Sequence, residues 1–166
     1  DPTSATPSFD VPQNPAASYE FTLVVNDGAM DSDPDAVVVN VNRKPVADAG
    51  PDQTANEGET VQLDGTGSSD PDGDALTYQW TAPAGITLSD PTSATPSFDV
   101  PQNPAASYEF TLVVNDGAMD SDPDAVVINV NRKPVSDAGP DQTASEGETV
   151  QLDGTGSSDP DGDPIT

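Results

Sequence analysis

The chain has no cysteine, no histidine, only four basic residues, and aromatics at just 5% of its 166 positions. Without cysteine there is no disulfide scaffold, so a packed core or a bound metal must hold the fold. Without histidine or cysteine the commonest general base and the thiol nucleophile are missing, and the two lysines, Lys44 and Lys133, fall in linkers. Paired carboxylates can cleave glycosides, but here they belong to loops of a small domain with no cleft in the pattern, so no enzyme is expected. Four Lys and Arg against thirty Asp and Glu give a formal net charge of −26. Such a surface lacks the cations that bind phosphate backbones and is repelled by anionic membranes. Nor does any run approach the roughly 20 apolar residues of a spanning helix. Nucleic acid and membrane insertion are therefore not expected; cations are the natural partners.

Low hydrophobicity with high net charge is also the composition of disordered chains. Two features argue for folding instead. Apolar residues alternate in several segments, and the acids are bunched between those segments. What is abundant is repetition: Asp1–Thr77 matches Asp90–Thr166 at an offset of 89 residues with five differences, Val39/Ile128, Ala47/Ser136, Asn56/Ser145, Ala75/Pro164 and Leu76/Ile165. A fixed period marks one structural unit used again. The sequence divides into residues 1–42, the C-terminal half of a unit; 43–131, a complete unit; and 132–166, the N-terminal half of the next. It is expected to be a window on a longer tandem array.

Within 43–131 the periodicity is two throughout. A first edge segment, Val46–Thr54, is interrupted by Gly50-Pro51. Thr60–Asp64 puts Val61 and Leu63 on one face. Leu76, Tyr78 and Trp80 share a face, Phe98 and Val100 follow, and Ser107–Asn115 sets Tyr108, Phe110, Leu112 and Val114 together. Ala125–Asn131 alternates Val126, Ile128 and Val130 against Val127 and Asn129. About seven short strands separated by turn residues predict an all-β, immunoglobulin-like β-sandwich repeated in tandem. The spacing of Tyr78 and Trp80 assigns them to the core rather than to an exposed sugar-stacking platform.

Asn42-Arg-Lys-Pro-Val-Ala-Asp-Ala-Gly-Pro-Asp-Gln-Thr54, Glu57-Gly-Glu-Thr-Val-Gln-Leu-Asp-Gly65, Ser68-Ser-Asp-Pro-Asp-Gly-Asp74, Tyr78-Gln-Trp80 and the run Tyr108–Gly117 occur in that order. Together they resemble a PKD-type repeat over the whole unit. One departure is Trp80-Thr-Ala-Pro-Ala-Gly85 in place of the common WDFGDG, as in the REJ-related, PKD-like subgroup. The resemblance implies an extracellular or cell-surface module used for spacing, adhesion or attachment, in a large bacterial surface protein.

In an immunoglobulin-like sandwich the loop between strands two and three and that between six and seven lie at one pole, where the chain also enters. Here these carry Asp70-Pro-Asp72-Gly-Asp74, Asn115-Asp116-Gly117 and Asn42. Oxygen donors without nitrogen or sulfur favour Ca2+, though Asp, Gly and Pro also make soluble turns. The resemblance maps metal ligands to Asn42, Asp70, Asp72 and Asp116, with Asp74 and Asn115 beside them. The flanking pieces repeat the same types at Asn26, Asp27, Asn131, Asp159, Asp161 and Asp163. The run Asp120-Ser-Asp122-Pro-Asp124 reads as a solvated turn. The resulting expectation is a calcium-stiffened extender module of a surface fibre or adhesin, whose split halves associate head to tail with neighbouring repeats. A carbohydrate- or cell-surface-binding accessory module of a secreted polysaccharide-degrading enzyme is the alternative.

Overall fold

The computed structural model describes residues 3–166; Asp1 and Pro2, the start of the 1–42 segment, lie outside the described residues. Eight strands and no helix make up the described chain: β1 (Ser18–Leu23), β2 (Asp35–Asn40), β3 (Gln53–Asn56), β4 (Thr60–Gln62), β5 (Thr77–Thr81), β6 (Ser97–Asp99), β7 (Ser107–Asn115) and β8 (Asp124–Asn131). Segment 43–131 contains β3 to β8, arranged as a four-stranded sheet of order β3-β8-β7-β5 facing a β4-β6 pair. This is an all-β, immunoglobulin-like sandwich.

The alternation read from the sequence is the alternation that packs. Phe110, Leu112 and Val114 of β7, Val126 and Ile128 of β8, and Leu63 just past β4 are fully buried, with Trp80 of β5 2% exposed. Phe98 of β6 tilts against Phe110 with ring centroids 4.6 Å apart, an offset geometry that suits the quadrupoles of both rings. The indole N–H of Trp80 donates to the Ser93 carbonyl at 3.1 Å, so the large ring enters the core without an orphaned donor. Tyr78 is half-buried and packs at the margin of the core.

The first edge segment differs from its sequence outline. Instead of one strand from Val46 to Thr54, Val46 bridges Ser69 on one side and Asp122 on the other, and pairing resumes only at β3, parallel to β8. Gly50, at φ 76°, makes the turn between these two attachments. A left-handed residue costs glycine little, and Pro51 supplies no donor to a ladder, so the chain changes partner here.

The flanking segments show how much of the burial depends on the partner sheet. β1 pairs with β2 in the register that β7 keeps with β8, yet Phe21 is 40% exposed where its counterpart Phe110 is fully buried. Leu152 is 82% exposed against 0% for Leu63. The local sequence is the same, but among the described residues no further strand faces these segments.

Candidate functional site

One pole of the 43–131 unit gathers the linker, the acidic loop after β4 and the β7–β8 loop. The acidic loop folds around its first carboxylate: Asp70 Oδ1 accepts the amides of Asp72 (2.7 Å) and Asp74 (3.2 Å). This side-chain-to-backbone bonding is what aspartate favours in turns. Gly73, at φ 84°, closes the loop. The other Asp70 oxygen, Oδ2, is buried and has no hydrogen-bond partner. The β7–β8 loop folds likewise, with Asp116 Oδ1 accepting from Ala118 (2.7 Å) and Met119 (2.6 Å). Its Oδ2 accepts from Asn42 Nδ2 at 2.8 Å, which ties linker to loop.

The linker contributes a residue that sequence reasoning missed. Arg43 donates its backbone amide to Asp72 Oδ2 (2.6 Å) and its Nε to Asp72 Oδ1 (2.9 Å). Its Nη2 also reaches Asp72 and the Pro71 carbonyl. Asp72 Oδ1 is therefore committed to a cation supplied by the chain itself, and Oδ2 to that residue's backbone amide. The planar guanidinium fork suits a carboxylate, but an arginine in a linker carries no sequence signal of which acid it will meet.

Asn42, Asp72 and Asp116 thus come together, with Asp70 and Asp74 in the same loop as Asp72. Asn115 turns aside: its Nδ2 donates to Asp120 and its Oδ1 accepts from Gly117. In the following segment Arg132 clasps Asp161 as Arg43 clasps Asp72, with amide-to-Oδ2 at 2.6 Å and Nε-to-Oδ1 at 2.8 Å. Asp159 organises that loop through the amides of Asp161 and Asp163. Asn131, however, donates to Asn56 rather than to an acid. Asn26 and Asp27 stay within their own loop: they accept from Gly28, Ala29 and Met30, and Asn26 Nδ2 donates to Asp31 Oδ1 at 2.7 Å. The Asp120–Asp124 run is not simply a solvated turn: Ser121 is buried, its hydroxyl accepting the Val114 amide at 3.0 Å, and Asp124 is half-buried. Asp120 holds Asn115, Asp122 pairs with Lys44, and Asp124 Oδ2 accepts the Ala49 amide at 2.8 Å.

Calcium takes six to eight oxygens. The donor chemistry suits it, and the buried, unpartnered Asp70 Oδ2 is an oxygen such an ion would use. The arrangement is less favourable. Among the described residues no three or more Asp, Glu, His or Cys stand together in a group that could hold a metal ion.

These hydrogen bonds are made to ionised carboxylates, and they lower the acidities. The Arg43 amide first, then its guanidinium, holds Asp72 below the ordinary value of 3.8, against burial and the nearby Asp116 charge. The Met119 amide, then Asn42 and the Ala118 amide, does the same for Asp116. Thr66, through its hydroxyl and then its amide, lowers Asp64. A carboxyl that is more acidic folded than unfolded stabilises the fold above the unfolded value and loses that effect as pH falls through the folded one. We expect acid unfolding of the 43–131 unit to set in below about pH 4, and Asp72→Asn to flatten that limb. Thermal melts followed by Trp80 emission between about pH 5 and pH 2 check this. A midpoint constant across that range would contradict it.

Residues 49–130 match the family described as K319L-like, PKD domain. This segment is a PKD domain. The human dyslexia-associated protein KIAA0319 is 33% identical over 153 residues, spanning 86% of this chain and 14% of that protein. Its mouse homolog is 31% identical over the same shares. Chitinase A of Pseudoalteromonas piscicida is 31% identical over 126 residues, 73% of this chain and 15% of that one. The chain therefore spans about a seventh of the relatives it matches. Among solved structures, the PKD domain from KIAA 1837 protein superposes with a TM-score of 0.45 at 27% identity, covering 63% of this chain and all of that one.

Proposed function

We propose that the PKD unit is a non-catalytic extender of a large extracellular or cell-surface protein, and that its acidic pole serves as the joint between successive units. The observation that carries this reading is the recurrence of one clasp. Arg132–Asp161 repeats Arg43–Asp72 atom for atom at the next linker. A spacer needs length and a reproducible joint rather than distinct sites, which suits near-identical units.

Calcium enters as a second layer of the same proposal. At this pole it would bind the free Asp70 Oδ2 and take Asp72 from the Arg43 guanidinium, with Asp116 and the Asn42 carbonyl oxygen completing the set. Competition with an internal cation makes the site a weak one, in keeping with extracellular modules that bind calcium at ~10⁻⁴–10⁻³ M. Small-angle scattering of the chain, titrated with calcium and then with chelator, tests the stiffening. An increase in maximum dimension with calcium is expected, and a dimension indifferent to the ion would refute this layer.

The exposed apolar faces of the flanking segments, with Phe21 and Leu152 among them, are on this reading covered by the complementary halves of neighbouring units, head to tail. The similarity to Chitinase A favours a second role, carbohydrate attachment beside a catalytic domain. Against it, Trp80 and Tyr108 are buried in the core, and Tyr78 is only half-exposed at its margin, so the complete unit presents no pair of exposed rings to stack on sugars.

A further inference from the structure

The pole opposite the acidic loop holds a carboxylate that reaches out of its own unit. Glu57, in the β3–β4 turn, is half-buried. Its Oε1 accepts the amide of Asn103 at 3.2 Å, inside the 43–131 unit, while its Oε2 accepts the amide of Lys133 at 3.2 Å, in the link to the next. Two more bonds run between the same turn and the end of β8: the Glu57 amide donates to the Asn131 carbonyl at 3.0 Å, and Asn131 Nδ2 donates to Asn56 Oδ1 at 3.0 Å. Between these, Arg132 is held from the other side by Asp161. Three consecutive link residues, Asn131, Arg132 and Lys133, are thus pinned alternately by the unit behind and the loop ahead. No slack residue separates β8 from the next acidic loop.

We propose that the Asn56-Glu57 turn is an interaction surface for the following unit, with Glu57 as the buckle of the joint. The partner is defined chemically: a backbone amide two residues past the end of β8, presented by an Asn-Arg-Lys-Pro link. This contact requires no metal. It builds on the extender reading for its purpose, but its existence does not depend on calcium. The joint is also graded by sequence, because the following segment carries Ser145 where this unit has Asn56. Serine has no side-chain carbonyl, and its hydroxyl sits closer to the backbone, so it cannot accept from the linker asparagine as Asn56 Oδ1 does and joints behind a serine-bearing unit are looser.

The test compares amide hydrogen exchange in the whole chain, in chelator, for the wild type, Glu57→Gln and the matched control Glu146→Gln. A carboxamide keeps one acceptor oxygen and cannot serve both the Asn103 and Lys133 amides. Glu57→Gln should therefore raise exchange at Lys133 roughly three- to tenfold, the range of one net hydrogen bond, while Trp80 emission stays native. Glu146→Gln should change neither. Asn56→Ser should give a smaller rise at Asn131 and Lys133. Unchanged Lys133 exchange in folded Glu57→Gln, or an equal rise in Glu146→Gln, would overturn the proposal. If Lys133 responds as expected while the scattering dimension ignores calcium, the buckle stands and the calcium layer alone falls.

Discussion

Replacing Phe110 by alanine should remove about 3–5 kcal/mol from the stability of the 43–131 unit. Phe110 is fully buried, sits at the centre of β7, the longest strand, and stacks on Phe98. Its removal forfeits both the transfer of a ring from water and the contacts of every neighbour lining the resulting cavity. Domains of this size are stable by about 5–15 kcal/mol, so the change consumes a large part of what exists. The chain carries a single tryptophan, Trp80, in the same core, and its emission in a urea titration reports this unit alone. The midpoint should drop with little change in slope. Phe21→Ala is the internal control, since that ring occupies the equivalent position but lies on a hairpin with no facing sheet. It should leave the Trp80 transition where it was. Equal shifts for the two would mean that the described packing is wrong.

Gly65→Val should be the second severe change, through the opposite fault. A Cβ at Gly65 would lie 2.9 Å from Leu112 Cδ2, 3.2 Å from Trp80 Cζ2 and 3.2 Å from the Ala94 carbonyl oxygen. Leu112 and Trp80 are themselves locked in the core, and the Gly65 amide is bonded to that same Ala94 carbonyl at 2.8 Å. Neither side can retreat, and overpacking a core costs typically about 1–3 kcal/mol, occasionally more; valine here adds three carbons where even the first does not fit. The counterpart Gly154 meets only the Asp137 carbonyl oxygen, at 3.8 Å. Gly154→Val should accordingly be near neutral in the same urea experiment. A Gly65 variant that melts like wild type would show that the β4 to β5 connection does not cross the core where it is described.

The strands were legible because each alternation has one face that must be dry. Ser107–Asn115 is β7 without adjustment, and Thr77–Thr81 and Asp124–Asn131 fall within a residue of their sequence outlines. The first edge was not, since the partner exchange at Gly50 is a matter of which neighbours Val46 and Gln53 find, and those lie far away in sequence. At the acidic pole the convergence of Asn42, Asp72 and Asp116 followed from the fold. What could not be read was that Arg43 would turn back onto Asp72. A basic residue in a linker reads as solvated, and only the juxtaposition of its fork with a particular carboxylate changes that. Glu57 was hidden for a similar reason, because its partner is a backbone amide beyond the end of its own unit.

The near-identity of β2 and β8, which differ only as Val39 and Ile128 do, carries a hazard during folding. β3 pairs in parallel with β8, yet as the chain is synthesised β2 is complete long before β8 exists. The intervening residues 41–52 are just about the dozen that a parallel crossover requires. Closing that short loop is entropically cheaper than waiting for the distant strand. A strand-swapped intermediate spanning two units is therefore the competitor expected during refolding, and a slow phase in Trp80 emission after dilution from urea would reveal it.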